Sequence, residues 1–183
     1  MDNQQERRIA WLAGMIDADG CIRIGCDKHR TKNLQYIPEI SIVSNCSYTV
    51  EYLVKLFAEL GVGNRVRFHQ PKDSQRDKVW NLKTAGFKRV ATLLPLVQPY
   101  LITKAQEAEV MRRFVGFRLG LSNTKQPYGE FEVQCYEKMK ALKKLRNYSS
   151  DLILRDLMPD STFAEDKVQT ATKVSEASRS IAT

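Results

Sequence analysis

Apolar residues recur at spacings of three and four between positions 6 and 19, where Ile9, Leu12, Ala13 and Ile16 form one stripe and Gly20 follows as a stop. That spacing predicts a helix. The period then changes: at 21–28, Ile22, Ile24 and Cys26 alternate with Cys21, Arg23, Gly25 and Asp27, the two-residue repeat of a strand with one buried face. After a polar loop, YIPEISIVSN at 36–45 is rich in β-branched residues and should pair with the first strand. Val50, Leu53, Val54, Phe57 and Leu60 predict a second helix over 48–60, ended by Gly61. Two short strands follow at 65–69 and 79–83, separated by the polar loop QPKDSQRDK. A third helix is predicted at 86–97 from Phe87, Val90, Leu93, Leu94 and Val97. Pro99 closes that region, and Thr103-x-x-Gln106 has the spacing of a capping box for a fourth helix running to about 119. A strongly basic helix is predicted at 130–147, and a short one at 150–158 before Pro159. The order αββαββα, with further helices, describes an α+β fold: one antiparallel sheet backed by helices.

Residues 161–183 hold 8 Ser or Thr in 23 positions and little apolar content, which predicts a mobile tail. The expected organisation is therefore one domain over 1–147 with C-terminal helices, then a short helix and polar tail over 148–183.

Composition narrows the class. With 183 residues, 43% hydrophobic and 27% charged, the chain can bury a core, which excludes wholesale disorder. No segment approaches the roughly 18 uninterrupted apolar residues of a membrane span, and the polar, acidic start is not a secretory signal. Cys21, Cys26, Cys46 and Cys135 have no zinc-site spacing, and His29 and His69 are too far apart in sequence to suggest a metal pair. Reduced thiols suit the cytoplasm or an organelle matrix, mitochondrial or chloroplast. Charge is unevenly placed: 25 basic against 15 acidic side chains over 1–150, a net of +10, and 4 against 6 over 151–183, a net of −2. The basic excess lies on the folded part and could attract nucleic acid, though charge alone first describes a solvated cationic face.

The chemistry is carried by Leu12-Ala13-Gly14-Met15-Ile16-Asp17-Ala18-Asp19-Gly20, at the end of a helix leading into a strand. This run resembles the signature of the LAGLIDADG homing endonucleases, matching it everywhere except Met15, and the αββαββα order agrees with that family's fold. The resemblance covers about 1–147. Gly14 and Ala18, four apart on one helix face, would let a second helix approach closely. In the family two such helices pack together. With one copy here and no internal repeat, the resemblance implies a homodimer, with Trp11, Leu12, Gly14, Met15 and Ala18 at the interface.

Asp17 and Asp19 stand about 200° apart around a helix, so at most one can face a scissile phosphate. The resemblance implies Asp19, its carboxylate and the Ala18 carbonyl binding Mg²⁺, the expected cofactor. Lys104, in QPYLITKAQ, is similar to the family's basic residue beside the cut phosphate, although a lysine in the first turn of a helix is disfavoured by the dipole. Asn45 matches a position where relatives carry Gln or Asn to hold water near the metals. Thr49 departs from the basic residue that some relatives carry.

In the family the sheet lies along the major groove of DNA. Alternation gives the outward face to Arg23, Gly25 and Asp27 on the first strand, Arg67 and His69 on the third, and Asn81 and Lys83 on the fourth. Arg23 and Arg67 are the best candidates for bidentate contacts to guanine. On the second strand Ile40 and Ile42 argue for burial, but counting back from Asn45 in register with relatives buries Ser41 and Val43 instead, and a β-bulge would reconcile the two. Phosphate contacts are expected from Lys28, Arg30, Lys32 and the basic helix at 138–146. The resemblance thus implies a site-specific endonuclease that breaks both strands of a long pseudo-palindromic double-stranded DNA by metal-dependent phosphodiester hydrolysis, promoting intron mobility. The alternatives on the same fold are a maturase that binds intron RNA and a DNA-binding regulator that does not cleave.

Overall fold

The structure is a computed structural model; it describes residues 3–27, 34–70, 78–121 and 126–157, the last of these beyond residue 146 as helix backbone only. The elements run α1 (Asn3–Asp19), β1 (Gly20–Asp27), β2 (Gln35–Ser44), α2 (Ser47–Glu59), β3 (Arg65–His69), β4 (Val79–Ala85), α3 (Phe87–Val97), a 3-10 turn (Gln98–Tyr100), α4 (Ala105–Gly120) and α5 (Glu130–Leu157). The αββαββα order is as the periodicities predict. Two units are distinguished, Met1–Leu142 and Lys143–Thr183; the sheet and its backing helices belong to the first. The expected tail at 161–183 lies outside the described residues.

The four strands form one antiparallel sheet in the order β1-β2-β4-β3. Register runs without interruption from Gly20↔Ile42 to Asp27↔Gln35, and β2 meets β4 from Glu39↔Ala85 to Ser44↔Trp80. No bulge interrupts the described strands. Ile22, Ile24, Ile40 and Ile42 therefore share the helix-covered face and are buried, whereas Val43 is turned outward and 38% exposed. The periodicity of β2 held, and the count back from Asn45 did not.

The core joins that face to the α1 stripe of Ile9, Leu12, Ala13 and Ile16, and to Leu53, Phe57, Leu93, Leu94, Met111 and Phe114. Gly20 lets α1 turn directly into β1: a Cβ there would lie 2.6 Å from the Ile16 backbone, so no side chain fits. Gly61, at φ 68°, closes α2.

Two local expectations were displaced. Lys104, not Thr103, is the N-cap of α4, and it makes no side-chain cap bond; the Thr103 hydroxyl is bonded to Asp17 instead. The two predicted C-terminal helices are one, because the residues around 149–150 lie within α5 and the Ser pair there weakens a helix without ending it. α4 and α5 are clamped by a buried ion pair, Arg118 to Glu132 at 3.0 Å, with the guanidinium 4.3 Å from the centre of the Tyr128 ring. Removing either charge would leave the other buried and cost about 3–5 kcal/mol.

Candidate functional site

The end of α1 is where the chemistry-bearing residues converge. Asp17 accepts backbone N–H bonds from Ile102 (2.6 Å), Thr103 (3.2 Å) and Lys104 (3.0 Å) and a hydroxyl bond from Thr103 (3.1 Å). Burial pushes its carboxyl up, but these donors outweigh it and hold the group below the usual carboxylate range. Asp17 thereby anchors the loop that carries Lys104. The Lys104 ammonium donates to the Asp17 carbonyl, and the residue is only 4% exposed. A lysine at the N-cap of α4 is disfavoured by that helix. Here it sits at the C-terminal end of α1, whose unsatisfied carbonyls favour a cation.

Asp19, two residues on, is exposed and makes no hydrogen bond or ion pair with the described residues. One carboxylate of the motif is fully engaged and the other is unengaged. Asn45 follows Ser44, the last residue of β2, and is exposed. Since Ile42 pairs with Gly20, Asn45 lies at the same end of the sheet as the junction of α1 and β1. The structure thus brings Asp19, Lys104 and Asn45 to one end of the fold. No group of three His, Cys, Asp or Glu that could hold a metal occurs among the described residues. The hard oxygens at this end, the unengaged Asp19 carboxylate first among them, suit a divalent ion but do not surround one.

The other face of α1 is bare. Trp11, Gly14 and Ala18 are exposed and Met15 is half-buried; a Cβ on Gly14 would meet nothing within 4 Å. Trp11 packs edge-on against Tyr52, ring centres 5.1 Å apart. Leu12, expected at an interface, is completely buried in the core of its own chain. It belongs to the stripe with Ile9 and Ile16, and its truncation to Ala would cost about 2–5 kcal/mol of fold.

The outer face of the sheet carries Arg23, Gly25 and Asp27 from β1 and Arg67, His69, Asn81 and Lys83 from β3 and β4, as alternation predicts. Arg65 shares that face, opposite Lys83, and was missed although it has the parity of Arg67. Arg65, Arg67, Phe68, His69, Asn81 and Lys83 line a hollow of about 240 Å³. Lys28, Arg30 and Lys32 lie outside the described residues. In the basic helix, Lys140 is paired with Glu137 at 3.2 Å, and Lys138 is exposed.

Glu39 was the larger omission. It is buried at the middle of this outer face, accepts from Arg23 Nε at 2.8 Å, and is ion-paired through its other oxygen with Lys83. Burial pushes its carboxyl up, yet the two cations prevail and hold it below the usual range. The signal was the pairing of β1 with β2, which sets Glu39 directly opposite Arg23.

No family model matches the chain. The DNA endonuclease I-CvuI of Chlorella vulgaris is 30% identical over 121 residues, 66% of this chain and 69% of that protein. A crystal structure of the homing endonuclease I-CvuI in complex with its target, in the presence of calcium, superposes with a TM-score of 0.59 at 23% identity, covering 76% of this chain and 83% of the other. Another I-CvuI complex, with magnesium and uncleaved DNA, gives 0.50 at 19% identity over 75% and 97%. The archaeal intron-encoded homing endonuclease I-Vdi141I complexed with DNA gives 0.57 at 14% identity, over 75% and 85%. These superpositions bear on the fold.

Proposed function

The chain belongs to the LAGLIDADG family of homing endonucleases, and on that premise we propose that it is a site-specific DNA endonuclease whose two identical protomers cut both strands of a long pseudo-palindromic duplex. The observation that carries the reading is the division of labour at the end of α1. Asp17 is used up in holding the Lys104 loop, while Asp19 keeps its carboxylate unengaged beside it. A second α1 packed on the bare face at Gly14 and Ala18 is supported by the open space there, and two-fold symmetry would bring the two Asp19 carboxylates to a common centre.

Asp19 and the Ala18 carbonyl would hold a divalent ion, which we assign as Mg²⁺; when bound it withdraws charge from phosphate oxygens and lowers the pKa of water. Other ligands would come from the second protomer and from DNA phosphates. Lys104 supplies a cation whose position is fixed before substrate arrives, so charge building on the phosphate is countered without reorganisation. Asn45 offers both a donor and an acceptor to orient water at the same end of the sheet. The outer sheet face, with Arg23, Arg65, Arg67, His69, Asn81 and Lys83, reads base edges in the major groove. The break would serve the mobility of an intron.

The test is incubation of wild type and Asp19→Asn with a plasmid library of candidate insertion sites and Mg²⁺. Wild type alone should linearise a subset of plasmids. If neither cuts while wild type accelerates intron splicing, a maturase replaces the nuclease. For the dimer, Gly14→Leu should leave the protomer's melting temperature unchanged or higher, since leucine is the better helix former, while shifting the solution mass from dimer to the 21.0 kDa monomer. A wild type that cuts as a monomer would overturn the paired-helix assignment.

A further inference from the structure

Glu39 is out of character with its surroundings: a buried carboxylate on a surface whose other charges, Asp27 at the end of β1 apart, attract an anionic polymer. Isolated there it would repel phosphate and be costly to desolvate. It is kept by cations from both neighbouring strands, Arg23 directly opposite on β1 and Lys83 on β4, where Lys83 faces Ser41 two residues along β2. The geometry of the first bond is informative. Glu39 takes the Nε–H of Arg23 at 2.8 Å, on the inner edge of the guanidinium. The terminal NH₂ groups keep donors to offer elsewhere, and the side chain is 49% exposed. A planar group held at Nε presents those two nitrogens as a fork matching O6 and N7 of guanine. Arg65 and Arg67 on β3 form no ion pair with the described residues and are held by nothing comparable.

We propose that Glu39 is a specificity-determining positioning residue: it fixes the orientation of Arg23 so that this arginine reads one guanine in each half-site, and it restrains Lys83 from binding phosphate indiscriminately. The inference rests on the reading of the outer sheet face as the DNA-contact surface. Its consequence runs opposite to that of ordinary scaffolding. Removing the carboxylate's charge should weaken discrimination while strengthening attachment to DNA of any sequence.

The experiment is a binding selection from a randomised duplex library, using the full chain in calcium, for wild type, Glu39→Gln and Arg23→Ala, alongside the salt dependence of binding to random-sequence duplex. Wild type should enrich a motif with one guanine per half-site that Arg23→Ala erases. Glu39→Gln should reduce preference for that same guanine by roughly 5- to 150-fold, the range of a lost bidentate contact. It should also bind random-sequence duplex more tightly, with a log K against log salt slope steeper by about 1. Glu39→Gln retaining the wild-type guanine preference, altering a position that Arg23→Ala does not, or weakening random-sequence binding overturns the proposal. Should Glu39→Gln fail to fold, Arg23→Lys keeps the charge beside Glu39 but lacks the fork, and must lose the same guanine. A wild type that enriches a motif untouched by any of these variants sinks the role of Glu39 alone; one that enriches nothing sinks the DNA-reading face and this role with it.

Discussion

The end of α1 and the outer face of the sheet are organised by the same device, a carboxylate that gathers donors, and they differ in where the donors come from. Asp17 takes main-chain N–H groups from a loop 85 to 87 residues away in sequence. Glu39 takes two flexible side-chain cations from adjacent strands. Main-chain donors released from Asp17 can turn only as the backbone turns, so that clamp is part of the fold. The cations on Glu39 can swing to solvent or to phosphate, so that clamp adjusts a surface without building it. Asp17 also leaves a chemically active neighbour, Asp19, unengaged by the described residues, whereas Glu39 engages the cations on both strands beside it.

The largest effect separates the two carboxylates of α1. Asp19→Asn removes a charge that no described residue pairs with, so melting should be unchanged while single-turnover cleavage falls by at least about 100-fold, the scale of losing one electrostatic contribution to a transition state. An Asp19 variant that melts lower by several degrees would show that the residue supports the fold and would blur the distinction from Asp17.

Next in size is the contrast in stability. Asp17→Ala strands three backbone donors and should lower unfolding free energy by about 1–3 kcal/mol in urea titrations, with cleavage falling as well because the Lys104 loop loses its anchor. Glu39→Gln should cost less than Asp17→Ala by the same measurement. The reverse ranking would mean that the sheet clamp, not the helix clamp, is the structural one.

The comparison also explains what could be read in advance. The α1 stripe and the alternation of β1 are local periodicities with one buried face, and both were legible. So was the motif, because nine contiguous residues carry it. The use of Asp17 was not, since its partners at 102–104 are brought to it only by the tertiary fold. Leu12 shows a motif residue serving two descriptions: the contiguous run groups it with Gly14 and Ala18, while the three-four spacing groups it with Ile9 and Ile16, and burial follows the spacing. Glu39 was obscured by the parity of β2, where both faces are covered, one by helices and the other by long cationic side chains, so that Glu39, Ile40, Ser41 and Ile42 are all buried and no alternation of exposure marks them. The capping box failed for a related reason, because the Thr103 hydroxyl found a stronger acceptor in Asp17 than in the helix that follows it.

The smallest effect is the acid limb of stability. Asp17 and Glu39 are both held below their ordinary ranges in the folded protein, so each contributes stability that is present above the unfolded value and lost as pH falls through the folded one. For Glu39 the loss sets in below about pH 4.3, the ordinary glutamate value. Glu39→Gln should therefore melt lower than wild type at neutral pH, with the gap narrowing as pH drops below that point, while the part of the slope due to Asp17 persists. Melting temperature followed from pH 7 to pH 3 tests this: a gap that widens on acidification would mean that Glu39 is protonated more readily in the fold than outside it, and its cations would then not be holding it.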